Sequence, residues 1–326
     1  MKYFRFNQHK IVNASFVLPN CEFFKDKFDN ITENKLERFY SFMGFDKHYV
    51  CGKDCYASDL GAIAASPILQ TINKENIDML IVISPSPDYL APQTAHIIHD
   101  KLKLNSNTII IDKTGFCTSL IQGLFLSFNF LDNENINNIL LIYSQSLNKK
   151  IKDKLFYMNM SDNASAFLIQ KDNNPNINLY TETNITSINT KETLPLSGFK
   201  NGINEIKVDN GIFFETVISY FPALFQDFLK NNNIDVDYFF LHCPNKFLYQ
   251  HIIRELDISP LKLPQQVAYE QYANLGSNSI FFSIHANKDL FNSRKKILLG
   301  SYGSGFTLNL MTLDLNSFNS TLNYIR

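Results

Sequence analysis

Hydrophobic residues along this chain come in short uninterrupted runs that alternate with segments of helical periodicity. In the first half, the runs of strand length are DMLIVIS (78–84), TIIID (108–112), NILLIYS (138–144) and ASAFLIQ (164–170). Two helices are predicted between them, APQTAHIIHDKL (91–102) and the far more apolar CTSLIQGLFLSFNFL (117–131). A strand without alternating polar positions is typical of a sheet covered on both faces. The pattern therefore predicts an α/β architecture.

The second half repeats this order of elements. Its segments are the strand DYFFLH (237–242), the helix NKFLYQHIIREL (245–256), the apolar helix SNSIFFSIHANKDL (277–290) and the closing strands KILLGSY (296–302) and FTLNLMTLDL (306–315). A helix that is apolar all round has to be buried on every side, so each apolar helix is expected between two sheets. We therefore predict an internally duplicated fold of five layers, α-β-α-β-α. The weakly patterned stretch from Asn173 to Asp209 predicts a division into residues 1–172 and 173–326.

Charge and hydropathy exclude several roles. The net charge is -1, from 30 basic and 31 acidic residues, and no long basic block argues for bulk binding to nucleic acid. No apolar run approaches the ~20 residues that span a bilayer, and the first segment lacks the apolar core of a signal peptide. We expect a soluble cytoplasmic protein without a membrane span.

The cysteines point to thiol chemistry at one position. Five cysteines, an odd number, indicate reduced thiols rather than a disulfide framework. Cys51 and Cys55 have no second pair at zinc-like spacing, so no metal site is expected. Cys117 instead opens the apolar helix, where the helix dipole and unpaired N–H groups stabilise a thiolate. The alternative is a cysteine that fills space in the core.

Two further polar residues occupy comparable positions. His242 follows a predicted strand, where catalytic groups gather in α/β folds. Asn274 precedes the second apolar helix, so pseudo-symmetry would bring it towards Cys117. The alternatives are a strand-end histidine bonded to backbone and an asparagine that caps a helix. The glycines of GSYGSGF (300–306) suit an oxyanion hole and equally a turn between strands.

Taken in order, these segments resemble the β-ketoacyl-acyl-carrier-protein synthase III family of the thiolase superfamily. The motifs that carry the resemblance are TGFCTSL, LHCPN, YANLGSNSI and GSYGSGF, with SFMGFDKHYV, SPSPDYLAPQTA and SDNASAFLI as further matches. The family's histidine motif usually reads His-Gln-Ala-Asn, and here it is His242-Cys243-Pro244-Asn245. The resemblance extends through most of the chain.

This resemblance implies a thiolase fold, a homodimer and a Cys-His-Asn triad. It implies that Cys117 accepts an acyl group from a thioester, while His242 and Asn274 hold the carbonyl oxygen of malonyl-acyl-carrier protein as carbon dioxide leaves. The backbone N–H groups of Cys117 and Ser304 would hold the oxyanion. Two fixed neutral donors in a dry site suit the negative charge that decarboxylation places on an enolate oxygen. Acyl carrier protein is the implied partner, and no cofactor is implied beyond the substrates, acyl-coenzyme A or acyl-carrier-protein thioesters.

Departures from the family pattern narrow this expectation. The chain has no Trp, whereas the family clamps the adenine of coenzyme A with one, and Arg38, Phe42 and Asp46 lie near Gly44 instead. A carrier-protein thioester is therefore a plausible acyl donor. Ala91 takes the place of a Phe that reaches into the partner's acyl tunnel, which predicts an acyl pocket for a longer chain. Such a divergent member fits specialised acyl assembly, such as polyketide-like or surface-glycan chemistry.

Three other functions stay open at the level of sequence. An acyltransferase of the same fold would pass the acyl group from Cys117 to an amine or alcohol without decarboxylation. A non-catalytic partner subunit of a condensing enzyme would share the fold, although such subunits usually lack the nucleophile. A carrier-protein binding module could use Lys149-Lys150-Lys152 or Arg294-Lys295-Lys296, which are otherwise ordinary solvated faces.

Overall fold

The computed structural model of the chain describes residues 2–6, 9–27, 31–148, 151, 154–172, 177–183, 210–303 and 307–325. Helices and strands alternate along these ranges. The strands are β1 (Lys2–Phe6), β2 (His9–Leu18), β3 (Asn20–Phe23), β4 (Lys47–Val50), β5 (Met79–Ile83), β6 (Ile109–Lys113), β7 (Asn138–Gln145), β8 (Asn163–Lys171), β9 (Ile177–Thr183), β10 (Tyr238–Leu241), β11 (Lys295–Gly303), β12 (Thr307–Leu315) and β13 (Ser320–Tyr324). The helices are α1 (Phe24–Lys27), α2 (Glu33–Met43), α3 (Ala57–Ala65), α4 (Thr94–Leu102), α5 (Ser119–Leu131), α6 (Lys154–Asn159), α7 (Asn210–Asn231), α8 (Lys246–Leu256), α9 (Ala268–Tyr272) and α10 (Ser279–Ala286).

Two large sheets repeat one pattern of strand pairing. The six-stranded sheet has the order β13-β2-β8-β7-β5-β6, and the five-stranded sheet has the order β1-β9-β12-β11-β10. In the first sheet, β5 and β7 are parallel, and β7–β8 and β8–β2 are antiparallel. In the second, β10 and β11 are parallel, and β11–β12 and β12–β9 are antiparallel. The same series of one parallel and two antiparallel pairs shows the internal duplication.

The helices complete five layers around these sheets. On the outer side of the six-stranded sheet lie α3 and α4, and on the outer side of the five-stranded sheet lie α7 and α8. The middle layer holds α5, which contacts strands of both sheets, and α10. Aromatic rings of α10 pack on the six-stranded sheet, with Phe282 at 4.7 Å from Phe16 and Phe281 at 4.8 Å from Phe167. The predicted arrangement of five layers, α-β-α-β-α, is thereby confirmed.

Both faces of the central strands are buried, as their uninterrupted hydrophobic pattern predicts. In β5, Met79, Ile81 and Ile83 belong to the core between the sheets, whereas Leu80 and Val82 belong to the core beneath α3 and α4. Alternate residues of a strand point to opposite faces, so one apolar run supplies both cores. No helix in the described part of the chain is both long and apolar enough to cross a membrane.

The two ends of the chain exchange strands between the sheets. β1, at the start, pairs with β9 in the five-stranded sheet, and β13, at the end, pairs with β2 in the six-stranded sheet. The proposed boundary at residue 172 falls between β8 and β9. Because each half supplies one strand to the sheet of the other, the division into 1–172 and 173–326 stays a prediction.

The structure contains elements that the hydrophobic pattern did not reveal. The unpredicted elements are β1 to β4, α1 to α3, α6, α7, β9, α9 and β13. Of these, α7 (Asn210–Asn231) follows the weakly patterned stretch and β9 lies within it. The second apolar helix is shorter than predicted, since 3₁₀ turns at Gly276–Asn278 and Lys288–Asn292 flank α10. The other predicted helices and strands agree with the structure to within about three residues at each end, as is usual for such boundaries.

Gly123 tests how tightly α5 is held in the middle layer. A Cβ atom at this position would meet Leu141 Cδ1 at 2.9 Å and would clash with Ile83 Cδ1. We expect Gly123→Val to lower the free energy of unfolding by about 2 kcal/mol through overpacking. Gly52→Val is the control, because a Cβ there meets nothing within 4 Å. Urea unfolding of both variants checks this, and equal stability of the two would contradict it.

Candidate active site

Cys117 lies in the turn between β6 and α5. The helix begins at Ser119 with Thr118 as its N-cap, two residues later than the sequence predicts. The Ser119 N–H donates to Phe116 O at 2.9 Å, and the Gln122 N–H donates to Thr118 O at 3.3 Å. The thiol therefore precedes the helix instead of lying in its first turn, and it stays at the positive end of the helix dipole.

Residues of the second half hold this turn from two sides. Ser277 Oγ accepts the Leu120 N–H at 2.7 Å, and Asn309 Nδ2 donates to Thr118 O at 3.2 Å. Both side chains are buried. The Leu120 N–H is consequently committed to Ser277, so the expectation that unpaired N–H groups of the first turn face Cys117 is wrong for this group.

Gly303, at the end of β11, packs directly against Cys117. A Cβ atom on Gly303 would lie 2.5 Å from Cys117 Cβ and 3.3 Å from its Sγ. Only glycine lets the strand backbone come this close to the thiol. Ser304, predicted to supply the second oxyanion N–H, lies outside the described residues.

His242 follows β10 and is buried next to β11. Its N–H donates to Gly300 O at 2.8 Å, and Tyr302 Oη donates to its carbonyl oxygen at 2.9 Å. Burial lowers the pKa of His242 to about 3, so the imidazole is neutral near pH 7. Its Nδ1 lies 2.7 Å from Ser279 Oγ, which also faces the Cys243 N–H at 3.5 Å. This contact with Ser279 orients the imidazole ring.

Asn274 is fixed by backbone contacts with the first half. Its N–H donates to Asn159 O at 3.0 Å, and its carbonyl oxygen accepts the Ser161 N–H at 2.9 Å. The side-chain Oδ1 accepts the Gly276 N–H at 2.9 Å. Because a backbone N–H can only donate, the atom facing it must be the amide oxygen. The NH₂ group of Asn274 therefore points away from Gly276 as a donor.

Tyr302 packs against His242 and directly precedes Gly303, which contacts Cys117. Its ring centroid lies 5.3 Å from that of His242. Burial raises the pKa of Tyr302 well above its ordinary value, and the neighbouring thiols of Cys243 and Cys117 add to the increase. The phenol is neutral and gives its hydrogen to His242 O. The hydroxyl of Tyr302 is therefore not available to donate a hydrogen bond to the Cys117 sulfur.

Tyr143 lies beside Gly276, two residues after Asn274. Burial raises the pKa of Tyr143, and the neighbouring Cys117 adds to the increase. Its Oη donates to Gln145 Oε1 at 2.7 Å and lies 2.6 Å from the position of a Cβ on Gly276. Gly276 in turn is bonded to Asn274. Tyr143 therefore lies beside the segment that carries Asn274.

Several residues of this site were not identified from the sequence. They are Ser277, Asn309, Gly303, Tyr302, Tyr143 and Ser279. The glycine-rich turn gave a signal for one of them. A tyrosine or serine within a buried run carries no local signal that separates a role in the site from core packing.

Ala91 lies apart from this cluster in the single chain. It is exposed in the loop between β5 and α4, directly after Tyr89 and Leu90, which are 63% and 71% exposed. Its expected place in an acyl pocket depends on a partner subunit and stays a prediction.

Cys51 and Cys55 contact each other, and two residues of the basic group at 294–296 contact carboxylates. The Sγ atoms of Cys51 and Cys55 are 2.8 Å apart. Arg294 pairs with Asp314, and Lys295 lies 3.7 Å from Asp237. The group Lys149-Lys150-Lys152 lies outside the described residues. Within the described ranges, no cluster of three or more His, Cys, Asp or Glu side chains is arranged to hold a metal ion.

Comparison with known proteins identifies similar sequences and folds. Residues 229–315 match the C-terminal model of 3-oxoacyl-[acyl-carrier-protein] synthase III. A Campylobacter jejuni protein, named provisionally as 3-oxoacyl-[acyl-carrier-protein] synthase 3, is 27% identical over 85% of this chain and 86% of its own. The β-ketoacyl-[acyl-carrier-protein] synthase III of Ehrlichia ruminantium strain Gardel is 24% identical over 91% and 96%. A crystal structure of 3-oxoacyl-(acyl-carrier protein) synthase from Burkholderia xenovorans has a TM-score of 0.89 at 18% identity, covering 99% of each chain.

Gly303→Ala should displace the thiol, because its methyl group would overlap Cys117 Cβ. A shift of about 1 Å in a reacting group costs roughly 100-fold in rate, so we expect about that loss in acylation of Cys117. Intact-mass measurement of acyl loading over time checks this, with Gly52→Ala as the control. Loading by Gly303→Ala at the rate of the unmodified protein would contradict the contact.

His242 should make the protein less stable in acid. Its folded-state pKa of about 3 lies below the ordinary 6.5, so between these values the unfolded chain binds the extra proton. Stability from this group is fully present above pH 6.5 and is lost as pH falls towards 3. We expect His242→Gln to flatten the fall in unfolding free energy by up to about 1.4 kcal/mol per pH unit. Urea unfolding at several pH values measures this, and parallel slopes would rule it out.

Proposed function

We propose that this chain, a divergent member of the β-ketoacyl-acyl-carrier-protein synthase III family, loads an acyl group onto Cys117 and condenses it with malonyl-acyl-carrier protein. The family consists of enzymes that transfer acyl groups, and the chain has their thiolase fold. The observation that carries the proposal is the packing of Gly303 on Cys117. It supports a thiol that reacts beside a strand backbone capable of holding an oxyanion.

The first step proposed is transfer of the acyl group. The Cys117 thiolate attacks the carbonyl carbon of the thioester and forms a tetrahedral intermediate. The bond from that carbon to the donor sulfur then breaks, and the donor leaves as a thiol after taking up a proton. The dipole of α5 favours the thiolate, while the backbone N–H of Cys117, with that of Ser304, is proposed to hold the oxyanion.

The second step proposed is decarboxylative condensation. Loss of carbon dioxide from the malonyl group leaves an enolate whose oxygen accepts hydrogen bonds from His242 Nε2 and the Asn274 NH₂ group. The enolate carbon attacks the acyl carbonyl, and the carbon–sulfur bond to Cys117 breaks. The contact between Ser279 Oγ and Nδ1 of His242 supports this role because it orients the ring. We propose that the serine hydroxyl donates to Nδ1, which leaves Nε2 as the donor to the enolate.

The pKa of His242 favours condensation over acyl transfer to an amine or alcohol. An amine or alcohol acceptor must lose a proton to a general base, whose pKa is best placed near the operating pH. Burial lowers the pKa of His242 to about 3, which makes it a weak base. Decarboxylation generates its own carbanion and needs donors instead. The same-fold acyltransferase therefore ranks below condensation.

Two surface features support the proposed homodimer. Tyr89 and Leu90 are exposed in the loop before Ala91, and Ile109 is 49% exposed on β6 at the edge of the six-stranded sheet. Apolar side chains at a sheet edge are typical of an interface between chains. A partner placed there would bring the loop of Ala91 towards the other subunit's acyl pocket. The specialised acyl pathway is proposed from the departures in sequence alone.

Intact-mass spectrometry tests the first step. The protein is incubated with acyl-carrier-protein and acyl-coenzyme A thioesters of different lengths, with Cys117→Ala as the control. We expect one acyl adduct that the control lacks. If no donor gives an adduct, the result would favour a non-catalytic partner subunit.

Release of carbon dioxide tests the second step. Malonyl-acyl-carrier protein is added to the acyl-loaded protein, and carbon dioxide and the 3-oxoacyl product are measured together. We expect His242→Ala and Asn274→Ala each to reduce release at least about 100-fold, the usual effect of removing one oxyanion donor. Acylation of an amine or alcohol without carbon dioxide release would establish simple acyl transfer instead.

A further inference from the structure

The backbone directly before Asn274 has an unusual conformation. Ala273, the residue that follows α9, has a φ of 57° and a ψ of -154°. These angles lie at the edge of a backbone region that is essentially restricted to glycine, because a Cβ atom is crowded there. Other residues keep such a conformation only where their surroundings impose it, and they cluster at active sites. The buried segment that carries Asn274 therefore needs contacts that hold its shape.

Ser161 holds the peptide groups on both sides of this residue. Its Oγ donates to Tyr272 O at 2.6 Å, and its N–H donates to Asn274 O at 2.9 Å. Its Oγ also accepts the Tyr49 N–H at 3.0 Å. Because a backbone N–H can only donate and a carbonyl can only accept, the serine hydroxyl has one orientation, with its hydrogen on Tyr272 O. Ser161 thus spans Ala273 with two hydrogen bonds.

Two further side chains extend this contact along the same segment. Asn163 Nδ2 donates to Leu275 O at 3.3 Å, and Asn163 Oδ1 accepts Asn278 Nδ2 at 2.6 Å. Ser165 Oγ donates to Asn278 Oδ1. The side chains of Ser161, Asn163 and Ser165, which form the β8 clamp, are all buried. Losing one of these bonds would leave an unpaired polar group in the interior, so the clamp is a firm contact.

The direction of the Asn274 amide follows from the backbone that the β8 clamp binds. Asn274 Oδ1 accepts the Gly276 N–H at 2.9 Å, so its NH₂ group turns with the peptide groups of residues 274–276. The clamp binds this stretch at Asn274 O and Leu275 O. A displacement of about 1 Å in a reacting group costs roughly 100-fold in rate. The clamp can therefore set the rate of a step that uses the Asn274 NH₂ group.

Ser144 shows the same kind of bond in an ordinary setting. It is buried, and its Oγ donates to Ala57 O at 2.6 Å, at the start of α3 on the outer side of the six-stranded sheet. The length and burial of this bond match those of the bond from Ser161 to Tyr272 O. Only Ser161 flanks a residue in a strained conformation. The two serines therefore separate positioning of the site from stability of the core.

We propose that Ser161 is a positioning residue, which holds Ala273 in its strained conformation and thereby directs the Asn274 amide at the enolate oxygen. Asn163 and Ser165 extend this hold along the segment. Ser161 acts through Asn274, and no covalent bond to the serine forms or breaks during the reaction. The inference rests on the proposed decarboxylative condensation, and it adds to the Cys-His-Asn triad the group that sets the geometry of its third member.

Ser161→Ala tests this role through the two steps of the reaction. We expect carbon dioxide release at saturating malonyl-acyl-carrier protein to fall by up to about 100-fold, because the Asn274 amide loses its direction. Loading of Cys117 should keep its rate, since Ser277 and Asn309 hold the turn that carries this thiol. The two rates are measured by carbon dioxide release and by intact mass.

Ser144→Ala is the matched control. It removes a buried hydroxyl with the same bond length and should leave both rates unchanged. Urea unfolding of both variants shows that each is folded. If Ser144→Ala and Ser161→Ala reduce carbon dioxide release equally, or if Ser161→Ala slows neither step, the inference fails while the condensation itself stands.

Ala273→Gly, added to Ser161→Ala, tests the strain directly. Glycine adopts the backbone conformation of Ala273 without a crowded Cβ atom, so the segment needs less support from Ser161. We expect the double variant to recover carbon dioxide release about tenfold relative to Ser161→Ala alone. A double variant that releases carbon dioxide no faster than Ser161→Ala would contradict the role of Ser161 in holding Ala273.

Hydrogen exchange measures the hold of Ser161 without any activity. Peptides that cover residues 272–278 are followed by mass spectrometry, and we expect faster exchange in Ser161→Ala but not in Ser144→Ala. Unchanged exchange in both variants would overturn the inference. If the unmodified protein loads Cys117 but releases no carbon dioxide, the proposed condensation fails and the catalytic use of the hold fails with it.

Discussion

Burial of two apolar helices between two sheets is the constraint on which this structure depends. Most side chains of α5 and α10 are buried, because strands of one sheet or the other cover these helices; Asn129, near the end of α5, is exposed. Their polar termini must therefore be satisfied by groups from the opposite half of the chain. Ser277 accepts the Leu120 N–H, and Asn309 donates to Thr118 O. The packing that closes the core therefore also positions the turn that carries Cys117.

The same burial sets the electrostatics of the site. Desolvation keeps His242, Tyr143 and Tyr302 neutral, and the donor hydrogen of each tyrosine is already committed within the protein. A neutral interior with fixed donors favours a step in which negative charge develops and no general base is needed. Burial alone would be costly for polar groups, but each described bond here pairs a donor with an acceptor.

The layered α/β fold, its duplication and the central strands and helices of each half can be predicted from the sequence. Buried strands and buried helices leave an uninterrupted apolar pattern, which is a local signal. The sequence also singled out Cys117, His242 and Asn274, because the end of a strand and the start of a helix can be recognised from neighbouring residues. The helix α7 and the strand β9 were not predicted, because the sequence around them shows little hydrophobic periodicity.

Which groups meet at the site depends on how the two halves of the chain pack together. Leu120 and Ser277 are 157 residues apart, and Thr118 and Asn309 are 191 apart. The approach of Gly303 to Cys117 and the exchange of β1 and β13 between sheets are likewise contacts between distant segments. Periodicity records whether a residue is buried, but it does not record which distant residue lies opposite, since that is set by how the two halves pack.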